Sequence, residues 1–325
     1  MKESIKKVVK GIVPNSVWSK ARLILNGGLT MNWTDRQREM YVARDYKDKT
    51  GRELDFGNLQ LYSEKMQWYK LYYYHPDLSR IVCKYQFKGY LAEKLGSGYT
   101  IPLIGAWKNV NDIPWDSLPK TFVLKSNCQS DGNNILFIKN KDEYSFTALK
   151  KKLKTWLYPE NTHLNSTCRA YYDVTPMILA EELIEQINGE VYDYKFFCFS
   201  GNPVCFRIDY NRAVEHKANW YDLDKNLLPW GAGTFSYDPE FKPVFPEKLD
   251  EMIEIAKKLS KEFPFVRVDF YYIDDKIMLS EMTFYPGSGY SNYPLDVDRE
   301  WGRLFELPEK TPLGRKHRRD LGIWY

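Results

Sequence analysis

Residues 266–287 read VRVDFYYIDDKIMLSEMTFYPG, and this stretch decides the fold. Both arms are rich in β-branched and aromatic residues, which favour strands, so the sequence predicts a β-hairpin. If the three polar residues after Ile273 form the turn, Ile273 faces Ile277, and counting back along both strands places Asp269 opposite Glu281. Two carboxylates then face each other across the hairpin.

The same register predicts a metal site. Arg267 falls opposite Thr283, and because side chains alternate between faces, both lie on the surface that carries Asp269 and Glu281. Facing carboxylates about 5 Å apart repel unless a cation lies between them. Oxygen ligands suit Mg²⁺ or Mn²⁺ better than Zn²⁺, and Mg²⁺ held by one or two carboxylates completes its shell with water and substrate phosphate. A nucleotide is therefore the expected substrate.

The alternative interpretation of the hairpin is an exposed edge with scattered charges. Against this, the opposite face is mainly apolar, so it is predicted to be buried. Its expected members are Val266, Val268, Phe270 and Tyr272 in the first arm, and Met278, Ser280 and Met282 in the second.

A phosphate-binding site also needs cations, and residues 121–134 (TFVLKSNCQSDGNN) provide a candidate. Lys125 interrupts an apolar strand where it gives way to a polar loop, which places an ammonium beside backbone N–H groups that can bind an anion. The stretch is not a Walker A loop, and no G-x-G-x-x-G motif opens a helix elsewhere. A surface lysine is therefore the alternative interpretation of Lys125.

A third polar element spans two predicted strands. Residues 176–184 (PMILAEELI) end in two glutamates, and residues 191–199 (VYDYKFFCF) carry Asp193 and Lys195. The two strands could line a cleft or form a plain antiparallel pair.

Taken in order, these elements resemble the ATP-grasp superfamily, specifically the branch similar to the teichuronopeptide-synthesis protein of bacterial cell-wall loci (TupA-like). The resemblance runs from about residue 84 to residue 289, and its most specific parts are Arg267-Val268-Asp269, Glu281-x-Thr283 and Pro286-Gly287-Ser288-Gly289. It implies an α+β fold with two lobes and the nucleotide between them. We expect a mainly helical region over residues 1–80, a first lobe over 81–185 and a second over 186–325.

The resemblance also implies roles for individual residues. The implied metal ligands are Asp269, Glu281 and Thr283, the last standing where many members carry Asn. Arg267 is implied to steady the transferring phosphoryl group, and a mobile loop is implied over residues 126–134. The residues implied to bind ATP are Lys84, Lys125, Ser126 and Lys217 at the phosphates, Glu181, Glu182 and Leu183 at adenine, and Asp193 at the ribose.

The implied reaction is ATP-dependent ligation of a carboxylate to an amine through an acyl phosphate, with ATP and Mg²⁺ or Mn²⁺ as cofactors. The expected partners are small-molecule or glycan carboxylates and amines, in bacterial capsule, O-antigen or cell-wall polysaccharide synthesis. The loop departs from the branch pattern, since Cys128, Gln129 and Asp131 replace His and Gly there. We expect this departure to reduce or alter activity rather than abolish it, because no principal ligand is lost.

A polysaccharide glycosyltransferase is the alternative function. The D-x-D triplets Asp296-Val297-Asp298 and Asp222-Leu223-Asp224 could hold a metal ion and a nucleotide sugar. Such triplets also occur by chance in a chain with 43 acidic residues.

The composition agrees with a soluble bacterial-type enzyme without identifying it, and the expected location is the cytoplasm. No apolar run approaches the roughly 20 residues that span a bilayer, and residues 1–4 lead into no signal-peptide core. Five cysteines without a C-x-x-C motif predict reduced thiols, and the net charge of +4 is not spread over a nucleic-acid-binding element. Residues 4–12 form a basic amphipathic segment that packs on its own domain or touches the inner face of a membrane. The basic tail at 315–319 is predicted to be solvated.

Overall fold

The structure is a computed structural model. It describes residues 34–128, 134–157, 167–171, 173–184, 191–212, 215–231 and 235–311. The basic segment at residues 4–12 and the basic tail at 315–319 lie outside these ranges. The fold is mixed α+β, as the sequence predicts, with two antiparallel sheets and helices around them. Within the described ranges, no helix is both long enough and apolar enough to cross a bilayer.

In the part of the chain that the structure describes, four helices come before the first strand. Two of them lie in the predicted helical region, and the third crosses its boundary at residue 80. Thr34 caps the helix that begins at Asp35, because its Oγ1 accepts a hydrogen bond from the Gln37 N–H. In the same capping box, Gln37 Oε1 accepts a hydrogen bond from the Thr34 N–H. The helices are α1 (Asp35–Thr50), α2 (Tyr62–Tyr72), α3 (Leu78–Val82) and α4 (Lys84–Leu95).

The first sheet has four strands in the order β1-β4-β2-β3, and every pair is antiparallel. Its strands are β1 (Leu103–Trp107), β2 (Phe122–Ser126), β3 (Ile135–Ile138) and β4 (Ile178–Glu181). Helix α5 (Phe146–Thr155) forms over residues where the sequence places apolar side chains at helical spacing. Phe122, Leu124 and Ile178 pack with Leu153 and Trp156 in a core of their own.

The second sheet has five strands in the order β7-β6-β5-β8-β9. Its strands are β5 (Asp193–Phe199), β6 (Asn202–Tyr210), β7 (Lys217–Tyr221), β8 (Phe265–Ile273) and β9 (Lys276–Thr283). Helix α6 (Leu249–Ser260) packs against β5, β6 and β8, and α7 (Leu295–Leu304) packs against α2. The two polar strands that could have paired, β4 and β5, belong to different sheets.

The predicted hairpin forms as β8 and β9, but its turn differs from the expectation. Ile273 pairs with Lys276 rather than Ile277, so the turn has two residues. Asp274 and Asp275 both have positive φ, at 49° and 58°. A two-residue turn of type I′ needs positive φ at both positions, and aspartate tolerates this conformation better than most residues.

A bulge on β9 corrects the shift that the shorter turn introduces. Asp269 pairs with Glu281 as predicted, whereas Phe270 pairs with Leu279, so Ser280 has no residue opposite it. The Ser280 hydroxyl instead donates a hydrogen bond to the carbonyl of Asp269, at 3.3 Å. One residue lost at the turn and one gained at the bulge cancel, and the predicted pairing of the two carboxylates survives.

The bulge also changes which residues of β9 enter the core. Ile277, Leu279 and Met282 are buried, whereas Met278 and Ser280 are only half-buried. The prediction that Met278 and Ser280 face the core was wrong, because the bulge moves residues before it to the opposite face.

All five cysteines are buried free thiols, as the sequence predicts. Burial raises the pKa of Cys128 to about 11, which keeps the thiol protonated near neutral pH. This agrees with a packing role for Cys128 rather than nucleophilic catalysis.

Candidate functional site

One face of the five-stranded sheet carries a ladder of charged residues, called here the charged face. The register places Asp193 opposite Asp209 and Lys195 opposite both Arg207 and Asp269. Opposite residues in antiparallel strands share a face, so side chains from four strands meet on one surface. The charged face consists of Asp193, Lys195, Arg207, Asp209, Arg267, Asp269, Glu281 and Thr283.

Arg267 connects the residues of the hairpin that the sequence singles out. Its Nε donates to Asp269 Oδ1 at 2.7 Å. Its Nη2 donates to Glu281 Oε1 and to Thr283 Oγ1, both at 3.1 Å. The predicted pairing of Arg267 with Thr283 is confirmed, and the guanidinium lies between the two facing carboxylates. The cation between the two carboxylates is thus the Arg267 guanidinium.

Lys195 forms the second centre of the charged face. Its Nζ lies 3.0 Å from Asp269 Oδ2, 3.2 Å from Asp193 Oδ2 and 3.9 Å from Asp209 Oδ2. Burial lowers the pKa of Lys195, but the neighbouring carboxylates outweigh this and raise it above its ordinary value. Lys195 therefore remains an ammonium in the midst of three aspartates.

Arg207, Asp209 and His216 belong to the same site, and the sequence analysis missed them. Arg207 donates to Asp209 from Nε at 2.5 Å and from Nη2 at 2.9 Å, and His216 Nε2 lies 3.2 Å from Asp209 Oδ2. A signal was available, since Arg207-Ile208-Asp209 repeats the Arg-x-Asp pattern of residues 267–269 within an apolar strand.

Burial acts differently on the carboxylates of this face. Burial raises the pKa of Asp269 above its ordinary value, and Arg267 and Lys195 offset this only in part. Burial also acts to raise the pKa of Glu281, but Lys84 and Arg267 outweigh it and hold that pKa well below its ordinary value. Glu281 therefore stays ionised, and its side chain is 27% exposed, which makes it the accessible one of the two facing carboxylates, because Asp269 is fully buried.

Three lysines lie close together beside the four-stranded sheet, and we call them the lysine cluster: Lys84, Lys88 and Lys125. Two of them pair with Glu181, the last residue of β4. Lys88 Nζ lies 2.8 Å from Glu181 Oε1, and Lys125 Nζ contacts Glu181 Oε2. Lys84 Nζ reaches across to Glu281 Oε2 at 3.3 Å. Lys88, one helical turn after Lys84, was not predicted. The cluster thus adjoins the hairpin.

Ser126 lies at the end of β2 and is buried, as are Asn127 and Cys128. Asn127 is held on both sides, because its Nδ2 donates to the Thr175 carbonyl at 2.8 Å and its Oδ1 accepts from the Met177 N–H at 2.7 Å. These three residues belong to the packed end of the sheet, which corrects the expectation that a mobile loop begins at Ser126. Residues 129–133 lie outside the described ranges.

The predicted adenine and ribose contacts lie at strand ends, because Glu181 ends β4 and Asp193 begins β5. Glu182 is exposed, and its N–H bonds the carbonyl of Pro102 at 3.1 Å, while Leu183 is half-buried just after it. Asp193 is buried, and its Oδ1 has no hydrogen-bond partner within the part of the chain that the structure describes. That free acceptor is suited to a hydroxyl donor.

Lys217 is not brought to the charged face. The register pairs it with Tyr210, one residue beyond Asp209 and hence on the other side of the sheet. Its Nζ bonds Asp238 Oδ2 at 3.1 Å. The neighbouring His216 points to the site instead.

A cavity of about 510 Å³ opens beside the charged face. Arg267, Glu281, Lys195 and His216 line it, and five of the six residues from 286 to 291, all but Gly289, form another part of its wall. Aromatic and further cationic groups complete the lining, among them Arg207, Arg212, Phe235, Tyr290 and Tyr293.

Helix α2 fixes the 286–291 wall of the cavity. Gln67 Nε2 donates to the Gly289 carbonyl at 3.1 Å, and the buried Lys70 Nζ donates to the Ser288 carbonyl at 2.8 Å. Gly289 has a φ of +74°, and a Cβ there would lie 2.6 Å from the Met66 side chain. Only glycine fits this position, so the wall sits directly against the helix.

The hairpin residues fit a hard divalent cation in chemistry. Asp269, Glu281 and Thr283 offer oxygen ligands on one surface. Asp269 Oδ1 and Glu281 Oε2 each accept one contact, from Arg267 and Lys84 respectively, and so each has a second lone pair for a metal ion. No group of three or more His, Cys, Asp or Glu residues in the described ranges could hold a metal alone. Substrate phosphate and water would therefore complete the shell, as is usual for Mg²⁺.

The D-x-D triplets have structural partners. Asp298 is buried, accepts the Ser63 N–H at the start of α2 at 2.8 Å and pairs with Arg52 at 2.8 Å, whereas Asp296 is exposed. Asp222 closes a turn through hydrogen bonds from the backbone and side chain of Asn226, both at 2.8 Å. These contacts favour structural roles over nucleotide-sugar binding.

Several solved ligases are similar to the chain at low identity. The D-alanine–D-alanine ligase of Bacillus anthracis is 17% identical with a TM-score of 0.39, over 64% of this chain and 58% of that one. The Helicobacter pylori D-alanine–D-alanine ligase is also 17% identical with a TM-score of 0.39, over 71% and 62%. The phosphoribosylamine–glycine ligase of Thermotoga maritima is 14% identical with a TM-score of 0.39, over 64% and 48%. The chain thus spans less than two thirds of the length of each.

No curated protein matches the chain. The model of the TupA-like ATP-grasp family matches residues 64–306, which is well over half of the chain and includes both sheets, the lysine cluster and the charged face. The chain therefore belongs to the TupA-like ATP-grasp family.

Proposed function

We propose that the protein is an ATP-dependent carboxylate–amine ligase that forms an amide through an acyl phosphate. The observation that carries this proposal is the position of Arg267, fixed by Asp269 and Glu281 beside a cavity. A guanidinium held in this way is ready to neutralise charge on a transferring phosphoryl group without moving. The adjoining lysine cluster supplies the charge that a triphosphate needs.

The lysine cluster supports binding of ATP at the boundary between the two sheets. Lys88 and Lys125 share one carboxylate, and Lys84 touches Glu281. Phosphate oxygens arriving there would take over part of these contacts, and the release of Lys84 would expose an oxygen of Glu281. Mg²⁺, when bound by Glu281 and Asp269, neutralises charge on the phosphates. The free Oδ1 of Asp193 is an acceptor for a ribose hydroxyl.

We propose that the carboxylate substrate belongs to an anionic glycan or peptide, such as a uronic-acid or glutamyl group, in capsule, O-antigen or cell-wall polysaccharide synthesis. The cavity supports this class because arginines and aromatic rings line it together. Arg207 and Arg212 can pair with a carboxylate, and the rings of Phe235 and Tyr290 can cover the face of a sugar.

The test of this function follows the products. With Mg²⁺, ATP and D-glucuronic acid or L-glutamate, the enzyme should release ADP and phosphate, and hydroxylamine should trap the acyl phosphate as a hydroxamate. Glu281→Gln should reduce this turnover about 10²-fold or more, because it removes a charge from the metal shell without a change in volume. Asp274→Asn, which alters an exposed carboxylate in the turn of the same hairpin, is the matched control.

Two results would contradict the proposal. One is equal activity in Glu281→Gln and Asp274→Asn. The other is consumption of a nucleotide sugar with release of its nucleoside diphosphate and no use of ATP, which would support the glycosyltransferase alternative.

A further inference from the structure

His216 lines the cavity but has no role in phosphoryl transfer as described above. It lies just before β7, its side chain is 25% exposed, and its Nε2 lies 3.2 Å from Asp209 Oδ2. Its ring stacks at a tilt over Phe235, with 4.0 Å between ring centroids. The imidazole is therefore positioned on one edge by a carboxylate and on one face by an aromatic ring.

Asp209 is itself fixed, which makes it a firm support for the imidazole. It is buried, and Arg207 binds both of its oxygens. Burial acts to raise the pKa of Asp209, but Arg207 and Lys195 outweigh it and hold that pKa well below its ordinary value. Asp209 is ionised near neutral pH, so it accepts a hydrogen bond from Nε2–H of His216, and the lone pair of the neutral imidazole is then on Nδ1.

Other titratable groups at the cavity are poor proton acceptors near neutral pH. Asp209 and Glu281 are already paired with arginines. Burial raises the pKa of Tyr293 to about 12 and that of Tyr290 further, so both hydroxyls keep their protons. Lys195 is held as an ammonium by the aspartates around it. Among these groups, the imidazole has the chemistry of a general base.

We propose that His216 is the general base that takes the proton from the attacking amine. This inference rests on the proposed ligase function, which supplies the acyl phosphate. Nδ1 of His216 accepts a proton from the substrate ammonium, and the uncharged nitrogen then adds to the acyl carbon to form the C–N bond. The C–O bond to the phosphorus-bound oxygen breaks, and its electron pair leaves with the phosphate, which takes the second proton that the nitrogen loses. The imidazolium then releases its proton to water.

Ammonium and hydroxylamine, two nucleophiles of similar size, distinguish a general base at His216 from a residue that only supports the fold. Ammonium must lose a proton before its nitrogen can attack, whereas hydroxylamine is a weak base that is already uncharged near neutral pH. The same acyl phosphate can therefore be trapped by a nucleophile that needs the base and by one that does not. The assay uses the full chain with ATP, Mg²⁺ and D-glucuronic acid or L-glutamate.

The expected result is a split in His216→Gln. Amide formation from ammonium should fall about 10²-fold or more, whereas hydroxamate formation should stay within about twofold of the wild-type rate. His75→Gln is the matched control, since His75 is the other histidine of the described residues and is not among those lining the cavity. It should leave both rates unchanged.

The outcomes separate the two proposals. A loss of both products in His216→Gln, or of neither, overturns the general base while the ligase function stands. If the loss of both accompanies a lower melting temperature, His216→Asn provides a second variant, and the split must appear there or the inference fails. An absence of hydroxamate from the wild-type protein overturns the ligase function itself.

Discussion

The charged face and the lysine cluster adjoin each other but differ in charge balance. On and around the charged face, four carboxylates pair with four cations. The carboxylates are Asp193, Asp209, Asp269 and Glu281, and the cations are Lys195, Arg207, Arg212 and Arg267. In the lysine cluster, Lys88 and Lys125 share the single carboxylate of Glu181, and Lys84 adds a third positive charge beside them.

This difference indicates two tasks. A balanced network in a buried setting satisfies its own members, so its geometry is fixed before substrate arrives. A cluster with excess positive charge is incomplete until an anion joins it, so it is suited to binding phosphate. The charged face thus holds its side chains in fixed positions before substrate binds, and the lysine cluster attracts the phosphates. Three predictions test this contrast.

The largest effect is expected for Arg267→Met. Removal of this guanidinium leaves Asp269 buried with only Lys195 as a cationic partner, which should lower the free energy of unfolding by about 3–5 kcal/mol. Turnover should fall about 10²–10³-fold, because the fixed charge at the phosphoryl group is lost. Urea unfolding and ATP turnover measure the two effects. Arg303→Met, at an exposed position in α7, is the control. Stability equal to that of the control would show that the network is not tightly coupled.

An intermediate effect is expected for Lys125→Met. The dissociation constant for ATP should rise about tenfold or more, because a charged contact to phosphate is lost. The free energy of unfolding should fall by less than in Arg267→Met, because Glu181 keeps its pair with Lys88 and no carboxylate is left without a cationic partner. Nucleotide titration is compared with that of Lys120→Met, an exposed lysine just before β2. If the two variants bind ATP equally well, Lys125 is not a phosphate ligand.

The smallest effect is expected in the acid dependence of stability. The pKa of Asp209 is lower in the folded state than the ordinary value of about 3.9, so its ionised form stabilises the fold above about pH 4. That contribution is lost as the pH falls toward the folded-state pKa. The slope of unfolding free energy between about pH 5 and pH 2 should therefore be shallower in Asp209→Asn than in wild type. Asp274→Asn should keep the wild-type slope, and a reduced slope in both variants would contradict the assignment.

The hairpin shows which contacts the sequence predicts and which it does not. The pairing of Asp269 with Glu281 was predicted correctly, but through a turn of three residues that has only two. A bulge at Ser280 restored the register. The alternation of polar and apolar residues predicts which side chains share a face, but it does not show where a bulge interrupts the strand. The prediction that Met278 and Ser280 face the core was therefore wrong, whereas the one for Met282, which lies beyond the bulge, is confirmed.

The cationic residues show a different limit. Lys125 and Lys84 were singled out, and both lie in or beside the predicted site. Lys217 was also singled out, yet its strand turns it away and His216 takes the place beside Asp209. A shift of one residue in a strand moves a side chain to the other face, and sequence spacing alone does not fix that choice.

By itself, the sequence determined the hairpin, the facing carboxylates, the arginine beside them and the TupA-like ATP-grasp resemblance, because strand periodicity and short motifs are local properties of the chain. Only the tertiary structure decided that β6, β5 and β8 lie side by side, which brings Arg207, Asp209 and Lys195 to the hairpin. It also decided that Lys84 reaches Glu281 and that His216 enters the cavity. These contacts join residues far apart in sequence, and they are set by sheet order and by the pairing of buried charges rather than by any local pattern.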